Sequence, residues 1–205
     1  MEESKKEHPI VVAITGATGV IYGVELLKAL RDLNERTHLI LSDSAVRNIH
    51  TETEYKIDEV KEMAEVVYNN KDIGASVASG SFKTRGMVVV PCTIKTLSAI
   101  ANSFNENLVV RASDVMLKER RTLVLMVRET PLHKGHLELM MRAADHGAVI
   151  LPPMPSFYHG PKTVLEIIHQ SVGKALDQLG VEHNLFRRWN SDMNTDPTIK
   201  FPKEG

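Results

Sequence analysis

Short apolar runs rich in β-branched residues recur along the chain, and most are followed by stretches in which apolar positions return at helical spacing. Ile10 to Thr15 (IVVAIT) ends at Gly16, after which Val20, Val24, Leu26, Leu27 and Leu30 recur, a pattern of strand, tight turn and helix. Thr37 to Leu41 is a second short strand, halted by Ser42 and Asp43, which can cap a helix starting near Ala45. Residues 51–84 are polar, and the pattern predicts a helix over Ile57 to Val67 and then a loop holding Ser76, Ser79, Gly80 and Ser81. Gly86 to Val90 and Leu123 to Val127 read as strands buried on both faces. Between them lie a helix through Leu97, Ile100 and Ala101 and a second over residues 108–121. A helix over Leu137 to Ala144, a strand over Ala148 to Leu151 and an amphipathic helix over Val164 to Leu179, ended by Gly180, complete the series. Strands alternating with helices predict an α/β fold, a parallel sheet covered on both faces, as one domain over residues 1–189. The segment 190–205 has little apolar content and two prolines, and reads as a mobile tail or an arm on a neighbouring subunit.

Composition narrows the function classes. A chain of 205 residues suits one domain, and 42% apolar with 25% charged residues is the balance of a soluble globule. Lys plus Arg number 25 against 26 Asp plus Glu, so no global field draws the chain to nucleic acid or to an anionic membrane. Any anion must be captured locally. The single cysteine, Cys92, excludes an internal disulfide and a thiolate zinc cluster and fits a reducing compartment. Glu2, Glu3, Lys5, Lys6 and Glu7 precede only a short apolar run, unlike a signal peptide or membrane span, so cytoplasm is expected.

The chemistry concentrates where strands end. Gly16-Ala17-Thr18-Gly19, with Gly23 beyond, sits at a strand-to-helix turn that can offer backbone N–H groups to a phosphate. Its spacing is not that of a dinucleotide fold, and Ser42 stands where a ribose-reading carboxylate would be expected, which disfavours NAD. Thr93, Lys95 and Thr96 follow the third strand, Arg128 and Glu129 the fourth, and Ser156, Tyr158 and His159 the fifth. Each is an ordinary cap or solvated loop residue taken alone, but together they favour a pocket for an anionic small molecule. Cys92 beside them reads as inert core or as a nucleophile. Pro131-x-His133-x-Gly135-His136 imitates the phosphate-binding signature of nucleotidylyltransferases, but it follows the fourth strand and has no partner loop. His133 and His136 lack a third zinc ligand at a recognisable spacing. Lys118 to Arg121 is a charged helix end that Arg111 and Asp114 extend into a polar stripe, and Trp189 reads as core, interface or lid.

Six ordered blocks carry a family resemblance: Thr15 to Gly19 with Ile21 to Gly23, Ala78 to Ser81, Pro91 to Thr96, Leu117 to Arg121, Val127 to Pro131, and Pro155 to His159. From about residue 10 to Trp189 the chain resembles the flavin prenyltransferase, or UbiX, family. The resemblance implies a three-layer doubly wound sheet, flavodoxin-like or Rossmann-like, and transfer of dimethylallyl from its monophosphate to reduced FMN. Bond formation at N5 and closure at C6 would give prenylated FMN for a UbiD-type decarboxylase, with no metal. By similarity Gly16, Ala17, Thr18, Ser42, Thr93, Ile94, Lys95, Thr96 and Arg128 would hold FMN. Ser79, Gly80, Ser81, Arg111, Lys118, Tyr158 and Lys174 would surround the prenyl phosphate, Lys118 assisting its departure. Glu52 and Glu129, the latter linked to the Thr18 hydroxyl, would serve the proton transfers. Trp189 could face an allylic cation. The family usually has serine at Thr18 and often arginine at Lys174, where lysine cannot make a bidentate fork. The resemblance also implies a homododecamer. The alternatives are an FMN-dependent decarboxylase of the cysteine-decarboxylase type, or an accessory subunit of a phenolic acid decarboxylase.

Overall fold

The computed structural model describes residues 7–189. Their elements run β1 (Ile10–Ile14), α1 (Val20–Asp32), β2 (Thr37–Leu41), α2 (Asp43–Glu52), α3 (Ile57–Lys61), β3 (Val66–Asn69), β4 (Gly86–Cys92), α4 (Ile94–Ala101), α5 (Leu108–Lys118), β5 (Thr122–Val127), α6 (Lys134–Asp145), β6 (Val149–Ile150) and α7 (Val164–Gln178). The six strands pair in parallel in the order β3-β2-β1-β4-β5-β6. Without the edge strand β3 this is the flavodoxin-like 2-1-3-4-5 order, and with it the Rossmann-like 3-2-1-4-5-6.

Strand alternation divides the core between the two faces of the sheet. Ile10, Val12 and Ile14 pack with α1, α2, α3 and α7. Val11 and Ala13 pack with α4 and α5. β1, β2 and β4 are buried along their whole length, which is why they read as unbroken apolar runs. β1 lies between β2 and β4, so the connections leaving β1 and β4 diverge to opposite faces and open a crevice at the strands' carboxyl ends.

Several predicted boundaries move. The helix expected over Ile57 to Val67 stops at Lys61, and Val66–Asn69 instead pairs with His38–Leu41. Val66, Val67 and Tyr68 favour an extended edge strand once β2 offers an open ladder. β4 continues through Pro91 to Cys92, with a cis Val90–Pro91 peptide. α5 ends at Lys118, short of residue 121, because Arg120 adopts φ +54. α6 starts at Lys134, since the His133 imidazole Nδ1 accepts the Gly135 N–H at 3.0 Å as its cap. The strand expected over Ala148 to Leu151 is only Val149–Ile150. The tail expected over 190–205 lies outside the described residues.

Candidate functional site

The loops after β1, β2 and β4 are bound into one rim. The Thr15 hydroxyl donates to the Pro91 carbonyl at 2.6 Å and accepts the Thr93 N–H at 3.0 Å. Asn48, one turn along α2 from Ser44, donates to the carbonyls of Gly16 at 3.1 Å and Ala17 at 3.3 Å. Gly16 is required at this approach, because a Cβ there would collide with Ser44. Gly23 lets α1 close on the sheet, where a Cβ would come within 2.7 Å of the Val90 carbonyl.

Two cavities flank the Gly16–Gly19 turn. The smaller, of about 180 Å³, is lined by Thr15, Gly16, Ser42, Ser44, Thr93, Lys95 and Thr96 from three loops and by Asn107 at the start of α5. Ser42 and Thr93 are the N-caps of α2 and α4, so this cavity faces two helix N-termini, and Lys95 pairs with Glu106 at 3.0 Å. Ile94 is half-buried against the core beside them. The larger cavity, of about 710 Å³, is walled by Thr18, Gly19, Tyr22, Arg128, Glu129, Leu132 and the run Pro152 to Pro155. The Arg128 N–H is fixed on the Cys92 carbonyl at 3.0 Å, while its guanidinium makes no hydrogen bond among the described residues. Burial raises the Tyr22 phenol above its ordinary pKa, and the Arg128 charge partly opposes this.

The first turn of α1 is capped from α2: Glu52 Oε2 accepts the Gly19 N–H at 2.7 Å and the Val20 N–H at 3.4 Å. Glu129 stands exposed at the rim, its Oε1 accepting the Thr130 N–H at 3.0 Å.

The remaining predicted residues form two further clusters. On the α5 face, Ser79 and Ser81 share a hydroxyl contact of 2.9 Å and Arg111 Nε donates to the Ala78 carbonyl at 3.2 Å. Lys118 Nζ pairs with Glu119 and lies where a Cβ on Gly80 would come within 2.6 Å of it. α5 has 11 residues. At a rise of roughly 1.5 Å per residue, Lys118 stands roughly 15 Å down the helix from the rim. On the opposite face, Tyr158 meets Trp189 edge-on at 5.6 Å, and Lys174 on α7 reaches Asp177 at 3.4 Å. Asp177 also takes Arg188 at 2.7 Å, tying the segment that carries Trp189 to α7.

The decoys resolve locally. Complete burial pushes the Cys92 thiol up to about 12, which leaves no thiolate for nucleophilic chemistry. His133 and His136 form the first turn of α6, their rings 3.5 Å apart. Among the described residues no group of three His, Cys, Asp or Glu is placed to hold a metal, and no helix is long and apolar enough to cross a membrane. Asn48 and Asn107 are additions to the residues read from the sequence, where Tyr22 enters only within the block Ile21 to Gly23; the helical spacing of Asn48 from Ser44 is a signal that could have placed it.

Comparison with known proteins gives consistent matches. The Flavoprotein family profile matches residues 1–173. The flavin prenyltransferase UbiX of Thauera aromatica is 57% identical over 183 residues, 89% of this chain and 94% of that protein. AnUbiX, solved in complex with FMN and dimethylallyl pyrophosphate, is 48% identical with a TM-score of 0.88, covering 90% of this chain and 98% of that one. A dodecameric FMN-dependent UbiX-like decarboxylase from Escherichia coli O157:H7 is 46% identical with a TM-score of 0.87, covering 89% of this chain and all of that one.

Proposed function

The chain belongs to the Flavoprotein family and, within it, to the UbiX flavin prenyltransferases, and from this we propose that it transfers dimethylallyl from dimethylallyl monophosphate to reduced FMN. The observation that carries the reading is the pair of cavities astride the Gly16–Gly19 turn. The smaller offers hydroxyls and two helix N-termini, with the Lys95 ammonium paired to Glu106 in its wall, a set suited to the FMN phosphate once that pair opens. The larger offers proline and aromatic walls and the uncommitted Arg128 guanidinium, suited to a flat ring with polar edges. When bound, reduced FMN supplies the nucleophilic ring positions to which the prenyl group is joined.

The chain's residues divide the remaining work. Thr18 and Glu129 share the larger cavity, where a hydroxyl and a carboxylate can pass a proton from the flavin edge to solvent. Glu52, fixed against Gly19 beside Thr18, is a second carboxylate for that relay. Lys118, Arg111 and the Ser79–Ser81 loop, with Tyr158 and Lys174, are donors for a departing phosphate, where they stabilise charge as it develops. The Trp189 ring beside Tyr158 offers a π-face to a cationic allyl group.

These groups lie on three parts of one subunit, so the reading includes a homo-oligomer, a dodecamer as in the Escherichia coli relative, in which neighbouring subunits bring the clusters together. Leu137, Met141, Met154, Phe157 and Trp189 are exposed apolar side chains available for such contacts. The product would serve a UbiD-type decarboxylase in the cytoplasm. The test is anaerobic incubation with reduced FMN and dimethylallyl monophosphate, followed by absorbance and mass of the released flavin. A flavin heavier by one dimethylallyl group is expected. Unaltered FMN with both the monophosphate and the pyrophosphate would overturn the proposal.

A further inference from the structure

Arg121 is fixed in place by the end of α5. Arg120 takes the left-handed conformation, its N–H bonding the Leu117 carbonyl at 3.0 Å, and the Arg121 N–H bonds the Met116 carbonyl at 2.8 Å. This pair of bonds is a Schellman closure of the helix, so the Arg121 side chain leaves the backbone in a set direction. Its partly buried guanidinium makes no ion pair among the described residues and grips two carbonyls of the serine loop: Nη2 donates to Gly80 at 2.7 Å and Nη1 to Phe82 at 2.7 Å, with the Thr84 hydroxyl at 3.4 Å. Arg111 takes the Ala78 carbonyl in the same way.

The two guanidinium groups thus engage the carbonyls of Ala78, Gly80 and Phe82, oxygens whose partial negative charge would oppose an anion. Beside them stand the Ser79–Ser81 hydroxyl pair and the Lys118–Glu119 ion pair, both of whose charged ends lie against the space a Gly80 Cβ would fill, so an incoming phosphate takes the place of the Glu119 carboxylate on Lys118. We propose that Arg121 is a positioning residue for prenyl-phosphate binding: it sets the serine loop against Lys118 and neutralises the loop's carbonyls without touching the substrate. The inference rests on the reading that Lys118 and the serine loop receive the phosphate. A planar fork spanning two carbonyls is a task lysine can do only in part.

The experiment measures KM and kcat for dimethylallyl monophosphate, and the FMN Kd, in Arg121→Gln, Arg121→Lys, Arg121→Ala and Lys118→Ala. Losing charge-assisted bonds to the loop should raise KM about tenfold or more in Arg121→Gln. The value of kcat at saturation should stay within about threefold and the FMN Kd should not move. Arg121→Lys should recover part of the loss, and added guanidinium ion should lower the raised KM of Arg121→Ala. If Lys118→Ala raises KM and Arg121→Gln does not, the positioning role is overturned while the phosphate reading stands. If neither raises KM, both fall. Equal loss of kcat, KM and FMN affinity without guanidinium rescue marks a general structural defect and also overturns the role. Should Arg121→Gln fail to fold, Arg121→Lys carries the test by the same KM comparison.

Discussion

Gly19 gives its backbone N–H to the Glu52 carboxylate at 2.7 Å, so the positive end of α1 is capped by a side chain from the end of α2. Gly19 is itself the left-handed N-cap of α1 and provides no side-chain cap. Glu52→Ala should therefore cost about 0.5–2 kcal/mol of stability in urea unfolding, the range of a lost cap. Glu52→Gln keeps an acceptor oxygen and should retain most of that stability. A slower prenyl transfer in Glu52→Gln would then report the carboxylate's proton chemistry, and unchanged turnover would leave Glu52 a cap alone.

Arg128 faces the larger cavity with its guanidinium unpaired among the described residues. Arg128→Ala should weaken FMN binding by roughly ten- to a hundredfold, the loss of one hydrogen bond to a charged group. Flavin fluorescence titration gives the affinity directly. NAD should show no competing affinity, and displacement of FMN by NAD would contradict the cofactor assignment.

Glu129 lines the same cavity as Thr18. Glu129→Gln should keep FMN affinity while the rate of prenylated flavin formation falls about a hundredfold or more, the usual scale of a lost general base. Thr18→Ser should stay close to wild type because the hydroxyl persists. A wild-type rate in Glu129→Gln would remove this residue from the proton path.

Lys118 and Glu129 lie at opposite ends of the sheet in one chain, so a shared site requires another subunit. Lys118→Ala and Glu129→Gln, each impaired alone, should regain activity when their oligomers are dissociated, mixed and reassembled. Absence of any recovery in verified mixed oligomers would mean that each subunit works with its own residues. Tyr158→Phe and Lys174→Ala should lower kcat/KM for the prenyl phosphate roughly ten- to a hundredfold with FMN affinity unchanged.

Glu25, buried on α1, joins Lys28 at 2.8 Å and His169 of α7 at 3.0 Å. Burial alone would raise its pKa, but the hydrogen bonds and charges of Lys28 and His169 outweigh it and hold the carboxyl below its ordinary value. The unfolded chain then binds the proton more readily, so this contribution to stability is complete above the unfolded pKa of about 4.3 and is lost as pH falls through the lower folded value. Glu25→Gln should flatten the acid limb of the stability profile measured by urea unfolding. An unchanged acid slope would show that the α1–α7 tie does not titrate.

The sheet was legible because β1, β2, β4 and β5 are buried on both faces and write their apolar runs directly into the chain. β3 was not, since an exposed edge strand of four residues carries too short an alternation to compete with a helical reading. The residues around the turn were legible for a similar reason: Gly16, Ser42 and Thr93 each stand within two residues of a strand's end, and strand ends converge in a doubly wound sheet. The interactions across loops left no such mark, because the partners are far apart in sequence. Thr15 reaches Pro91 and Arg121 reaches Gly80, contacts that only the finished packing creates.

By itself, then, the sequence determined the layer architecture, the rim on which the polar groups collect and, through six ordered blocks, the family. Tertiary structure alone decided that the Glu52 carboxylate caps the first turn of α1, since a side chain 33 positions away must be folded back to reach it. It also decided that the phosphate-binding candidates divide between α5 and α7, on opposite faces of the sheet. Local periodicity fixes which face a side chain takes on its own element, whereas the distance between elements is set by how the whole core packs.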